Sequence, residues 1–279
     1  MSLDVVIPCH GATVAQLEKA ASSARRAGEV GRIIVVDDGS PKPLVCRPAD
    51  EVVRFDDNRG PSAARNAGAD RSHADWLLFL DSDDTLVHES VGPFLRLCAE
   101  LDAVAGVASR EIHGAGAMQL KEPPPDWAGE VLQSPGDVFR PIELFSASGL
   151  LVRRDIVSER GVRFDEDLRI GEDRDFLRRV YEQGPIAVCP APIVRMHRDG
   201  HTLTSPKHFE RRVRDHLVLL QRWHGEESEA HLREATRWLI NACSKHPIPK
   251  RTWRDLVQAA HVRGWSVPLK CRLRRIFGP

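Results

Sequence analysis

The sequence predicts an α/β protein: a mostly parallel, Rossmann-like sheet flanked by helices, followed by a helical C-terminal appendage. Three features carry this. Short β-branched apolar runs alternate with helix-patterned stretches up to about residue 110, the order that gives right-handed crossovers and parallel strands. The strand runs are apolar at both alternating sets of positions, as a sheet covered on both faces requires. From about residue 206 the pattern turns purely helical, which divides the chain into a domain over 1–205 and an appendage over 206–279.

The elements follow in order. "DVVIPC" (4–9) is a strand closed by a proline. In "ATVAQLEKAASSARRAG" (12–28), Thr13 and Gln16 have capping-box spacing and Gly28 is a stop, so this is a helix. "RIIVVDDGSPKP" (32–43) is a second strand ending in acidic and turn residues, and "EVVRF" (51–55) is a third. "GPSAARNAGADRS" (60–72) is a small-residue helix with Pro61 in its first turn. "WLLFLDSDD" (76–84) is a fourth strand, 91–101 a helix and 102–109 a fifth strand. Residues 111–145, with "PPP" at 123–125, read as a long irregular segment. Regular structure resumes at 148–155 and in a helix over 171–184, and 207–223, 228–243 and 251–263 are three further helices.

Composition narrows the function classes. A 42% hydrophobic content over 279 residues fills a sizeable core, and zero formal net charge gives no field toward nucleic acid, so no nucleic-acid partner is expected. The six cysteines (9, 46, 98, 189, 243, 271) show no metal-type CxxC spacing and no dense disulfide framework, so free thiols are expected. "MSLDVVIP" lacks a basic segment followed by a long apolar run, and no run reaches membrane-spanning length. A cytoplasmic protein is the expectation.

Two acidic clusters, "VVDDGS" and "FLDSDD", each follow an apolar strand. In an open parallel sheet, ligands bind beyond the carboxyl ends of the strands. Asp81 and Asp83 are two apart, so in an extended segment they project to one side. With small Ser82 between them, they can hold a hard divalent ion whose shell phosphate oxygens complete. Turn and cap chemistry is the competing account of one such cluster; two in succession weaken it.

At this point "DVVIPCHG", "RIIVVDDGS", "NRGPSAARNAG", "WLLFLDSDD" and "GEDRDFLRRV" together resemble, in order and spacing, the motifs of family-2 glycosyltransferases with the GT-A fold, over residues 3–205. The resemblance implies an inverting transferase that uses a nucleotide-sugar, UDP-linked by preference, and Mn²⁺ or Mg²⁺. It implies that Pro8, Cys9 and Asp38 line the nucleoside pocket with Asp38 near the base, that Asp81 lies near ribose and metal with Ser82 beside it, and that Asp83 is the direct metal ligand. The family usually has Thr-Tyr-Asn after the first strand's proline; Cys9-His10-Gly11 stand here, leaving His10 as the available ring. The family's general base falls on "GEDRDF", with Asp173 as the match and Glu172 second. Asp173 precedes Phe176 and Leu177 by three and four, so it opens the apolar face of its helix, although acids also favour helix N-termini for dipole reasons. His197 and His201 stand where some relatives use a histidine for metal or diphosphate; two solvated loop histidines are the alternative. Arg65 points to a pyrophosphate, to Asp81, or to a buried structural ion pair.

Residues 245–279 hold nine Lys and Arg against Asp255 alone, and Leu269, Leu273 and Phe277 give the end an apolar side. This tail either docks weakly on an anionic membrane surface, placing the protein at the inner face of a membrane, or folds back on the acidic remainder. The acceptor class (glycan, lipid-linked sugar or small molecule) is not legible. The rivals to a glycosyltransferase are a nucleotidyltransferase and an inactive nucleotide-sugar-binding module. The first usually carries a Gly-rich basic loop after strand one, which "PCHGATVAQ" lacks; the second predicts a broken acidic set, whereas "DSD" and "ED" are intact.

Overall fold

The structure is a computed structural model that describes residues 1–114, 116–139, 145–197, 208–223, 226–243 and 248–267. The boundary at 205/206, His201 and the tail from 268 onward, with Leu269, Leu273 and Phe277, lie outside the described residues. The chain forms two compact units. One comprises Met1–Gln133, Glu143–Asp167 and Glu172–Asp199; the other Ser134–Ile142, Leu168–Gly171 and Gly200–Pro279.

The first unit holds a nine-stranded sheet. Its strands are β1 (Leu3–Cys9), β2 (Val30–Asp37), β3 (Glu51–Arg54), β4 (Trp76–Phe79), β5 (Thr85–Leu86), β6 (Ala105–His113), β7 (Gln119–Lys121), β8 (Leu151–Arg153) and β9 (Ile186–His197). They lie in the order β3-β2-β1-β4-β8-β6-β9-β5, with β7 paired to β6. The β3-β2-β1-β4 half is parallel, as expected of alternating strands and helices. Beyond β4 the sheet is mixed: β8 is antiparallel to both neighbours, and β6 runs parallel to β9. Helices α1 (Val14–Arg25), α2 (Pro61–Arg71), α3 (His88–Glu100), α4 (Arg154–Ser158) and α5 (Glu172–Tyr181) belong to the same unit.

β1 and β4 are buried along their whole length. One side of β1 (Val5, Ile7) packs with Leu17 and Ala21 of α1 and Phe94 of α3. The other side meets α2, whose Gly68 lies so close to Val6 that a Cβ there would collide with it, which accounts for the small-residue composition of that helix. The capping box reads through from sequence to structure: the Thr13 hydroxyl accepts from Gln16 N at 3.2 Å, and Gln16 Oε1 accepts from Thr13 N at 3.0 Å.

Three regions differ from the sequence expectation. The fourth strand stops at Phe79, and 81–84 form a turn closed by Asp84 N donating to Asp81 O at 3.1 Å. The geometry of an extended strand therefore does not apply to Asp81 and Asp83. The irregular segment is partly ordered, because β6 continues to His113 and pairs with β7. β9, the longest strand, has no counterpart among the predicted strands. Its two prolines disguise it, and the structure absorbs them in a bulge: Ala108 pairs with Cys189 but Ser109 with Pro192, and the Ser109 hydroxyl donates to the looped-out Pro190 carbonyl at 2.7 Å.

The second unit contains α6 (Phe209–Arg222), α7 (Glu226–Ala242) and α8 (Lys250–Val262), close to the three helices expected. Buried Asp215 of α6 accepts the backbone N–H groups of Arg169 and Ile170, each at 3.0 Å, which accounts for the short 168–171 segment joining the helices. Among the described residues, no helix is long and apolar enough to cross a membrane. Cys9, Cys46, Cys98, Cys189 and Cys243 are free and buried; Cys271 lies outside the described residues.

Candidate active site

Within the first unit, Arg65 joins the acidic turn beyond β4 to the start of α5, and the carboxyl ends of β1 and β2 lie beside β4 in the sheet. Pro8 explains how a gap opens there. Val6 O still accepts from Leu80 N, but the β1–β4 register ends at the Val6–Phe79 pair. Pro8 shares the parity of Val6, so its missing N–H falls where no strand remains to be paired. On the other side β1 stays joined to β2, with Asp38 N donating to Cys9 O at 2.8 Å. The Cys9 thiol is buried, which pushes its pKa up, although a hydrogen bond with Ser82 works the other way. His10 is exposed, and its Nδ1–H donates to Asp38 O at 2.8 Å, fixing the ring at the rim.

The first acidic cluster divides into two tasks. Asp37 accepts from Ser40 N, Leu44 N and the Arg54 guanidinium. Burial alone would raise it, but these donors outweigh burial and hold its carboxyl below the usual range. Asp38 accepts from Arg59 N at 2.6 Å and Gly60 N at 2.8 Å and so anchors the loop that starts α2. Between the two acids and the loop, Gly39 has φ +65°, and a Cβ there would lie 2.5 Å from the Asp57 carbonyl carbon. Only glycine fits that turn.

The second cluster is arranged differently. Asp81 Oδ1 takes Arg65 Nη2 at 2.9 Å, while exposed Asp83 lines a cleft of about 220 Å³ with Gln16, Lys19, Asp84 and His197. Asp84 is buried, accepts the Ser148 hydroxyl at 2.6 Å and the His197 backbone N–H at 3.3 Å, and is pushed up to about 8 by burial and by the Asp81 charge. His197 therefore ends β9 rather than lying in a loop, and its Nε2 sits 3.3 Å from both Lys19 Nζ and Thr85 Oγ1.

Arg65 ties the second cluster to α5. Its Nη1 donates to Glu172 Oε1 at 3.0 Å, and the guanidinium lies 5.3 Å from the Phe164 ring. Phe164 stacks on Phe176 of α5 at 4.0 Å, and Asn66 of α2 clasps the Phe164 backbone at both its N–H and its C=O. The two carboxylates outweigh the desolvation of Arg65 and keep it cationic. Of the readings open for Arg65, the structure shows the pairing with carboxylates. Glu172 is pushed up to about 7 by burial and by Asp173, against the pull of Arg65. Asp173 is also raised by burial, which Arg174, Arg65 and Arg110 only partly offset. A carboxyl raised toward neutrality is suited to proton transfer.

Among the described residues, no three His, Cys, Asp or Glu side chains form a ready metal shell. Asp83 and His197 do share one cleft. One carboxylate and one imidazole suit a hard divalent ion that takes its remaining ligands from phosphate oxygens and water. Sequence reasoning missed Lys19, Arg110 and Ser148. Arg110 left a signal, as a charged residue continuing an apolar run into β6; Lys19 and Ser148 left none, because their roles come from chain segments far apart in sequence.

Comparison with known proteins identifies the family and the fold. The chain is 31% identical over 183 residues to the succinoglycan biosynthesis protein ExoU of Rhizobium meliloti (strain 1021), covering 60% of this chain and 54% of ExoU, about half of that relative's length. It is 27% identical over 283 residues to ExoO of the same organism, covering 91% of this chain and 81% of ExoO. The structure of S. aureus TarS 1–349 in complex with UDP superposes with a TM-score of 0.66 at 18% identity, covering 93% of this chain and 81% of that one, a likeness of fold. The profile described as Glycosyl transferase family 2 matches residues 4–159, more than half of the chain, and the chain belongs to that family.

Proposed function

We propose that this protein moves a sugar from a nucleotide-linked donor to an acceptor hydroxyl with inversion at the anomeric carbon. The observation that carries the proposal is the ion-pair chain Asp81–Arg65–Glu172, with Arg65 buried at its centre, which holds the acidic turn after β4 at a set position relative to the raised carboxyls of α5. In this reading Asp173 accepts the proton of the acceptor hydroxyl as its oxygen attacks, and Glu172 keeps Arg65 and the helix start in register. Pro8, Cys9, His10 and Asp38 line the nucleoside site, with His10 offering its ring to the base. Asp83 and His197 would hold a divalent ion, Mn²⁺ or Mg²⁺, with Asp81 and Ser82 alongside. That ion supplies charge neutralisation for the departing diphosphate.

Support for a uridine donor comes from TarS, whose structures include complexes with UDP and UDP-GlcNAc. Support for a saccharide acceptor comes from relatives named for succinoglycan biosynthesis. The test is a panel of nucleotide-sugars with and without Mn²⁺, following nucleoside diphosphate release and thermal stability. Mn²⁺-dependent release of UDP with a raised Tm is expected. Pyrophosphate release instead would point to a nucleotidyltransferase, and binding without turnover to an inactive module.

A further inference from the structure

Lys19 reaches the site from the second turn of α1, the helix that follows β1. Its Nζ lies 3.3 Å from His197 Nε2 in the cleft that Asp83 and Asp84 also line. An ammonium can only donate, so the contact requires Nε2 to present its lone pair. That same lone pair is what a divalent ion needs from His197. Lys19 is exposed, and its long stem can swing without disturbing the core.

We propose that Lys19 is an internal competitor for the divalent ion. In the donor-free protein its ammonium occupies the His197 lone pair and partly neutralises the carboxylates of the cleft. When a metal-bound diphosphate enters, Lys19 leaves the imidazole and moves onto the phosphate oxygens. Metal affinity is thus low without donor and rises with it, because the same side chain opposes the bare ion and supports the loaded one. The inference rests on the reading of Asp83 and His197 as metal donors.

The two stages predict opposite effects of one substitution. In Lys19→Met, Mn²⁺ binding to the donor-free protein, measured by loss of the free-ion electron paramagnetic resonance signal at low ionic strength, tightens about twofold to fivefold, the worth of one exposed charge contact. UDP binding in saturating Mn²⁺, measured by calorimetry, weakens by a similar factor. In a His197→Ala background the gain in Mn²⁺ affinity disappears, because the contested lone pair is gone. Equal Mn²⁺ affinity in wild type and Lys19→Met overturns the role of Lys19 while leaving the metal site standing. A gain that persists in His197→Ala also overturns it, since only a diffuse charge effect would then remain. Failure of the wild-type protein to bind Mn²⁺ with or without UDP overturns the metal reading and this inference together.

Discussion

The two acidic turns of this protein look alike in sequence and are opposites in structure. "VVDDGS" places its carboxylates among donors that are part of the fold: Asp37 faces Ser40 N, Leu44 N and Arg54, and Asp38 faces the N–H groups of Arg59 and Gly60. "FLDSDD" places its carboxylates near one another. Asp84 feels Asp81 and Asp83 and is raised to about 8, whereas Asp37 is lowered. A carboxylate whose partners are built in supports structure. A carboxyl raised by burial and by acidic neighbours, as Asp84 is, is poised for a cation or proton arriving from outside.

That contrast can be broken or sharpened by substitution. The largest effect is expected at the acceptor side. Asp173→Asn should lower turnover by about 10²–10⁴-fold with donor affinity retained, the usual worth of a general base. Steady-state kinetics and UDP calorimetry on the same preparation check this, and a loss of only a few-fold would move the role to Glu172. Arg65→Met should lower the unfolding free energy by about 3–5 kcal/mol in urea titration, because it strands buried Glu172 and part-buried Asp81 without their cation. Partial exposure of Asp81 favours the lower end of that range.

A paired substitution addresses the two turns directly. Asp37→Ala should lower Tm by roughly 3–10 °C through the unsatisfied donors it leaves. Asp83→Ala, at an exposed position, should leave Tm nearly unchanged and remove the Mn²⁺ dependence of UDP binding. Exchange of these two outcomes would invert the division between structural and reactive turn. The smallest effect concerns pH. Glu172 and Asp84, raised to about 7 and about 8, keep protons in the folded state that the unfolded chain releases near its ordinary carboxyl range. Their contribution to stability is therefore present at low pH and is lost as pH rises toward 8. Tm of the metal-free protein should fall by a few degrees between pH 5.5 and 8.5, and Glu172→Gln should flatten part of that fall.

The sequence by itself determined the alternation of strands and helices, the capping box of α1, the helical C-terminal part and the family motifs. Each depends on residues within one turn or one strand of one another, so local stereochemistry suffices. Which acids share a cleft was decided only by the tertiary structure. Asp83, rather than Asp81, lines the cleft with His197, where a hydrogen-bonded turn replaces the extended strand that "LLFLDSDD" suggests. β9 became visible only when a bulge against β6 absorbed Pro190, bringing His197 to Lys19 from 178 positions away. Arg65 found Glu172 across 107 positions. Side chains so distant in sequence meet only through the packing of the sheet and its helices, and no local pattern records that meeting.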